Sequence, residues 1–192
     1  MDIKQLLLER ELNAVLSRYA RACDQRDWSA MDDVFLQEAT ADYGGLHQLQ
    51  GRGPIVAMID AEHAILVEEY CGGTDEYEIS LPKGLIEPGE DVLAAAEREL
   101  KEEAGFGARQ LEHLTELSLS PGYMSQKIQV VLATDLYEEH LEGDEPEPMR
   151  VDRVNLRELS SLVLNPQFSE GRALAALYLA RDLLTQRGAF QP

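Results

Sequence analysis

The stretch GLIEPGEDVLAAAERELKEEAGF, residues Gly84 to Phe106, decides the fold of this chain. Three of its carboxylates, those of Glu99, Glu102 and Glu103, stand at positions i, i+3 and i+4, so they share one face of a helix. Like charges this close repel each other on a solvated surface, whereas clustered carboxylate oxygens are the ligands that Mg²⁺, Mn²⁺ or Ca²⁺ requires. The spacing therefore predicts a helix that binds a hard divalent cation.

Both ends of this helix are marked in the sequence. Asp91 is the expected N-cap, because its carboxylate can accept hydrogen bonds from the first free N–H groups. Gly105 is the expected C-terminal stop, because glycine readily takes the left-handed conformation that closes a helix. An apolar stripe at helical spacing predicts the side that faces a core: Leu93, Ala96, Leu100 and Ala104.

The defined positions of this stretch form one pattern: Gly84, five residues, Glu90, seven residues, Arg98-Glu99-Leu100, one residue, Glu102-Glu103, one residue, Gly105-Phe106. The pattern resembles the signature of the Nudix hydrolases at every defined position. Three further stretches resemble the bacterial ADP-compounds hydrolases of that superfamily: EEYCGGTDEYEISLPKGLIEPGE, SLSPGYMSQKIQVVLATDLY and LEGDEPEP. The resemblance implies an α/β fold, the Nudix α/β/α sandwich, over residues 55–192. It also implies a pyrophosphohydrolase that cleaves ADP-ribose, NADH or diadenosine polyphosphates to AMP and a phosphorylated product.

The resemblance further implies roles for residues of the motif. Glu99 and Glu103 are the first metal ligands, and Glu102 supports them. The Gly84 carbonyl is a candidate for a further ligand oxygen, and the implied cofactor is Mg²⁺ or Mn²⁺. Arg98 orients the glutamates through salt bridges.

The resemblance implies a general base outside the motif. In related ADP-ribose hydrolases it comes from an acidic loop after the central strands, so EEHLEGDEPEP, residues 138–148, offers Glu145 and Glu147. For most charges of this loop the alternative is solvation alone. Glu90 either binds metal or, in the interpretation we favour, fixes the glycine loop against the helix. The other candidates bind substrate: Glu78, which can also assist in metal binding, and Lys83, which contacts a phosphate. Pro121 resembles the proline that marks ADP-ribose-type members. Tyr123 and Tyr70 each either stack on a base of the substrate or lie in the core.

Residues 1–54 have a different character. RYARACDQRDWSAMDDVFLQEATADYGG resembles the opening of the SnoaL-like family of cone-shaped α+β domains, which includes isomerases and dehydratases. Tyr19 and Asp24 match pocket positions of that family, but the long curved sheet that completes the cone is missing downstream. We therefore expect a helical N-terminal appendage on the Nudix domain. The alternatives are a SnoaL-like isomerase or dehydratase, and a Nudix-fold binding protein whose pocket the N-terminus impairs.

Periodicity predicts the remaining elements. Residues 3–22 form a helix, and a second helix runs from Ser29, as cap, to Leu36, with Val34 and Phe35 inward. The apolar runs IVAMID and HAILVEEY around a polar turn predict a β-hairpin. The other elements are strands at 39–43, 77–81, 111–119, 128–136 and 149–156, a turn at 120–123, a loop at 138–148 and an amphipathic helix at 169–186.

Composition narrows the function classes. A net charge of −19 over 192 residues argues against a nucleic-acid or anionic-membrane binder, because phosphate contacts need Lys and Arg. No apolar run approaches transmembrane length, and the N-terminus is too charged for a signal peptide. Cys23 and Cys71 show no metal-site spacing, which favours reduced thiols in a cytoplasmic protein. The apolar faces of the N-terminal helices need cover, which predicts a homodimer.

Overall fold

The computed structural model describes residues 50–191 except 72, 73, 75, 88, 120, 122–126 and 144–148, together with scattered residues among the first 49. The chain divides into two compact units, residues 1–44 and 45–192. The first strand of the second unit begins at Gln50, ahead of the boundary expected at Ile55. No helix in the described part of the chain is both long enough and apolar enough to cross a membrane.

In the N-terminal unit, the described residues between Lys4 and Ala22 are helical, in agreement with the first predicted helix. The second predicted helix is wrong at Val34 and Phe35, which lie in a turn and a bend, and Phe35 is exposed rather than inward. Its ring meets that of Tyr19 edge to face, with 6.0 Å between centroids. The short preceding turn is capped by Asp27, which accepts hydrogen bonds from the Ala30 N–H and the Ser29 hydroxyl. Asp24 and the strand predicted at 39–43 lie outside the described residues.

The described residues of the second unit form two sheets and three α-helices. The strands are β1 Gln50–Ala57, β2 His63–Cys71, β3 Glu76–Ser80, β4 Lys83–Ile86, β5 Phe106–Ser118, β6 Lys127–Glu138 and β7 Arg150–Asn155. The helices are α1 Val92–Ala104, α2 Leu159–Val163 and α3 Gly171–Gln186, with a 3₁₀ turn at Leu156–Glu158 before α2. One sheet has the order β4-β1-β6-β5 and the other β3-β2-β7. Within the first sheet, β1 pairs parallel with β6 and antiparallel with β4.

Two apolar clusters lie on opposite sides of the strands. Along β1, Ile55 and Ala57 belong to the cluster that includes α1, whereas Val56 and the next residue after the strand, Met58, belong to the cluster that includes α3. The strands β2 and β6 divide their buried residues in the same alternating way, because successive strand side chains point to opposite faces. Strands covered by helices on both faces form an α/β/α sandwich, so the predicted fold class is confirmed.

The strand partners differ from the prediction in two places. The runs at 55–60 and 63–70 do contain strands, but the predicted hairpin is wrong: β1 and β2 lie in different sheets, joined among described residues by one bridge, Met58 to Ala64. The glycine loop expected at Pro82-Lys83-Gly84, before the acidic helix, is wrong in part, because Lys83 and Gly84 begin the strand β4, which pairs with β1. Apolar runs indicate that a strand is buried, but they do not choose its neighbour. In addition, α2 and its 3₁₀ turn were not predicted.

Candidate active site

Helix α1 begins and ends at the predicted residues. Asp91 has extended backbone (φ −71°, ψ 137°) and its carboxylate accepts hydrogen bonds from the N–H groups of Leu93 and Ala94, at 3.0 and 3.1 Å. Gly105 has φ 74°, and its N–H donates to the carbonyl of Leu100. The fully buried side chain of Leu100 packs the helix against the strands. These contacts fix both the length and the rotation of α1, so its acidic residues have a defined direction.

Arg98 is the centre of the acidic edge. Its Nη1 donates to the carboxylates of Glu99, at 2.7 Å, and Glu102, at 3.0 Å. Its Nε bonds to Glu90 at 3.1 Å, and its Nη2 donates to the carbonyl of Leu85 at 2.9 Å. The hydrogen bond to Glu90, with the charges of Glu90 and Glu99, raises the pKa of Arg98 far above its ordinary value. One guanidinium thus joins α1 to the loop that precedes it.

Glu90 closes that loop. Its carboxylate accepts the Glu87 N–H at 2.9 Å as well as the Arg98 bonds. The Arg98 hydrogen bond holds the pKa of Glu90 below its usual range. Of the two roles expected for Glu90, this geometry supports fixing the loop against the helix.

Glu103 is the most buried carboxylate of the motif, with 9% of its surface exposed. It accepts a hydrogen bond of 2.8 Å from the backbone N–H of Lys83. Burial raises the pKa of Glu103 to about 8, and the charges of Glu99 and Glu69 act in the same direction. A carboxylate in such surroundings favours a bound proton or a bound cation over standing alone as an anion.

Gly84 lies directly against Glu99. A Cβ built at position 84 would stand 1.7 Å from Cδ of Glu99, which is well inside any allowed contact. Because glycine carries no Cβ, the carboxylate can lie against strand β4. The absence of a side chain at position 84 is therefore a steric requirement of the site. It also lets the backbone of Gly84 lie close to the Glu99 oxygens.

Glu99, Glu102 and Glu103 line a cavity of about 330 Å³. In the part of the chain that the structure describes, no three carboxyl, imidazole or thiol groups converge on a single point. Each motif carboxylate has instead a donor: Arg98 for Glu99 and Glu102, and the Lys83 N–H for Glu103. The donor set around the cavity consists of hard oxygens, which fit Mg²⁺ or Mn²⁺ better than a softer metal.

The beginning of the acidic loop lies over this cavity. Its backbone is joined to the end of α1, since the N–H of Glu139 donates to the Gly105 carbonyl and that of Leu141 to the Lys101 carbonyl. Glu142 and Gly143 then line the cavity. Glu142 was not among the residues expected at the site, although it belongs to the same acidic stretch. Glu145 and Glu147 lie outside the described residues.

The candidate substrate-binding residues are not all at this cavity. Glu78 lines a second cavity, and Lys83 lines both. The Lys83 ammonium forms an ion pair with Glu69. Pro121 lies exposed in a turn, and Tyr123 is outside the described residues. Tyr70 is half exposed and packs edge to face on Tyr77, so it is not a core residue.

Comparison with known proteins adds two family matches. A model of the NUDIX domain matches residues 50–176, which is most of the second unit. A model of a SnoaL-like domain matches residues 4–77, so the resemblance at the N-terminus extends beyond residue 55 and overlaps the first match.

Two curated relatives and one solved structure are similar to this chain. An ADP compounds hydrolase, NudE, of Escherichia coli (strain K12) is 50% identical over 134 residues, covering 70% of this chain and 72% of that protein. An ADP-ribose pyrophosphatase of Bacillus subtilis (strain 168) is 29% identical over 149 residues, covering 77% of this chain and 80% of that protein. A crystal structure of an ADP compounds hydrolase superposes with a TM-score of 0.68 at 48% identity, over 72% of this chain and 74% of that one.

Proposed function

This chain belongs to the NUDIX family, and on that premise we propose that it hydrolyses the diphosphate linkage of ADP-ribose-like compounds, giving AMP and a phosphorylated product. The substrates we assign to it are ADP-ribose, NADH and diadenosine polyphosphates. The observation that carries the proposal is the cavity that Arg98 and the motif carboxylates line, in a chain 50% identical over 134 residues to an ADP compounds hydrolase. The enzyme is a Nudix pyrophosphohydrolase.

We assign the metal site to the acidic side of α1. Glu99, Glu102 and Glu103 hold Mg²⁺ or Mn²⁺, and the carbonyl of Gly84 supplies a further oxygen. A bound divalent cation supplies neutralisation of the diphosphate charge and acidification of a water. Arg98 holds Glu99 and Glu102 in place through its bonds of 2.7 and 3.0 Å, and so acts as a positioning residue.

The general base is assigned to the acidic loop. Glu145 and Glu147 remain the candidates from the sequence, and Glu142 joins them because it lines the cavity. The base takes a proton from the attacking water, which needs a carboxylate within hydrogen-bond reach of that water. Two backbone hydrogen bonds join Glu139 and Leu141 to the end of α1, which supports the assignment of Glu142 beside the site.

Substrate contacts are assigned beside the metal site. Lys83 contacts a phosphate, since this residue lines the cavity that holds the motif carboxylates. Pro121 and Tyr123 belong to the segment between β5 and β6 and contact the substrate there.

We also propose a cytoplasmic homodimer with a Nudix domain over residues 55–192 and an N-terminal segment over residues 1–54. The described thiol, Cys71, is free, which is in keeping with a reducing compartment.

A SnoaL-like isomerase or dehydratase is the second candidate, and the domain match over residues 4–77 favours it. Tyr19 and Asp24 would carry that activity. Cone-type isomerases need no metal, so a chelator separates the two functions.

The test is a hydrolysis screen with and without EDTA. Purified protein is incubated with ADP-ribose, NADH, diadenosine polyphosphates, nucleotide sugars and nucleoside triphosphates, each with Mg²⁺ or Mn²⁺, and AMP release is followed by chromatography. We expect hydrolysis of the ADP compounds that EDTA abolishes and added metal restores. Turnover of none of these compounds with either metal would overturn the proposed function.

A further inference from the structure

A second cavity, of about 400 Å³, adjoins the metal-binding cavity. It is lined by residues of β2, β3 and β4 and by the segment that enters α3. Lys83 lies on the wall of both cavities. A molecule with a diphosphate beside Lys83 therefore has one end that can enter this second cavity.

Most charges on the wall of this cavity are already neutralised. The Lys83 ammonium pairs with Glu69, and the Arg172 guanidinium pairs with Glu170. The wall thus carries three carboxylates, of Glu69, Glu78 and Glu170, against two cations, and this excess of negative charge disfavours a second phosphate or another anion inside the cavity.

Glu78 differs from the other two carboxylates. Its partner is a hydroxyl group, because the Ser169 hydroxyl donates to it at 2.5 Å. The Ser169 hydrogen bond lowers the pKa of Glu78, so this carboxylate is ionised at neutral pH. Each carboxylate oxygen can accept more than one hydrogen bond, which leaves Glu78 with capacity for further donors. Beside it, the Ser80 hydroxyl donates to Glu170 at 2.8 Å and can accept through its own oxygen.

Such a wall, rich in acceptors and with paired cations, suits a neutral group with several hydroxyls. An adenine ring has no aromatic partner among the described residues that line the cavity, where Leu119 is the large apolar side chain. We propose that this cavity binds the sugar attached to the second phosphate, the half of the substrate that is not the adenylate. Glu78 and Ser80 accept hydrogen bonds from its hydroxyls. This inference rests on the proposed diphosphate hydrolysis and adds the part of the enzyme that selects the non-adenylate group.

The test compares two substrates that differ in that group alone: ADP-ribose and the β-methyl ester of ADP. The wild type should hydrolyse both, with the lower KM for ADP-ribose. Glu78→Ala should raise the KM for ADP-ribose roughly tenfold or more, as expected for loss of a hydrogen bond to a charged group, with kcat little changed. The KM for the methyl ester should stay the same. The KM of Glu78→Gln for ADP-ribose should lie between those of the wild type and Glu78→Ala, because the amide oxygen still accepts a hydrogen bond.

Glu76→Ala is the matched control, since it removes an exposed carboxylate from the same strand. It should leave both KM values unchanged. Thermal unfolding shows whether each variant is folded. If Glu78→Ala does not fold, the KM values of Glu78→Gln decide the test. An equal rise in KM for both substrates, or no rise for either, would overturn the inference while hydrolysis by the wild type upheld the proposed function. If the wild type cleaves neither substrate, the proposed function and this inference fail together.

Discussion

The Glu99 carboxylate occupies the space that a side chain at Gly84 would need, because a Cβ there would lie 1.7 Å from Cδ of Glu99. The motif glycine and the motif glutamate, fifteen positions apart in the sequence, are therefore one steric unit. Gly84→Ala must push the carboxylate away from β4. A displacement of about 1 Å at a catalytic group can cost roughly 100-fold in rate. We expect a loss of that order in kcat.

A double-mutant cycle tests whether this contact is the cause. Glu99→Asp shortens the side chain by one methylene and so relieves the clash. It should cost less activity in the Gly84→Ala background than in the wild type. Additive losses in kcat would contradict the steric coupling of the two residues.

Arg98 supplies a planar set of donors that lysine cannot reproduce, since it bonds Glu90, Glu99, Glu102 and the Leu85 carbonyl at once. Arg98→Lys keeps the charge but loses most of these bonds. We expect weaker binding of Mn²⁺, measured by titrating activity with the metal, and a lower kcat at saturation. Arg109→Lys is the matched control, because Arg109 is exposed and pairs with Asp135 away from the cavity. Equal metal titrations for the two variants would argue against a positioning role for Arg98.

Glu103→Gln keeps the shape of the side chain and an oxygen that can accept the Lys83 N–H, but it removes the charge. If Glu103 holds the metal, kcat should fall by orders of magnitude while thermal unfolding without metal changes little. The fold should tolerate the change because burial already disfavours the charged form. Glu97→Gln is the control on the same helix, since Glu97 bonds Tyr137 rather than the cavity residues. Wild-type activity of Glu103→Gln at saturating Mg²⁺ would remove Glu103 from the metal site.

The acidic loop offers three candidates for the base. Glu142→Gln, Glu145→Gln and Glu147→Gln should be compared singly under saturating metal. The change at the true base should lower kcat strongly and leave KM nearly unchanged, because a base acts in the transition state rather than in substrate binding. Glu139→Gln, which weakens only the ion pair with Lys101, is the control within the loop. Small and equal effects at all three positions would place the base elsewhere.

The sequence alone determined the active-site helix. Asp91 and Gly105 bound α1 as predicted, because capping depends on residues within one turn of the helix end. The acidic edge and the buried stripe also follow from helical spacing, so their separation onto two faces needs no tertiary information. Even the contacts of Arg98 with Glu99 and Glu102 are local, at one and four residues' distance.

The tertiary structure alone decided which distant residues meet. The apolar run at β1 predicts a buried strand, but packing places it between β4 and β6 instead of beside β2. The same arrangement places Glu78 on the wall of the second cavity and Glu142 on the wall of the first. It also places Lys83 on the walls of both cavities. Such pairings join residues far apart in the chain, and their free energy comes from the surface that they bury together. Periodicity measures how one segment is buried, and for that reason it cannot say against which partner.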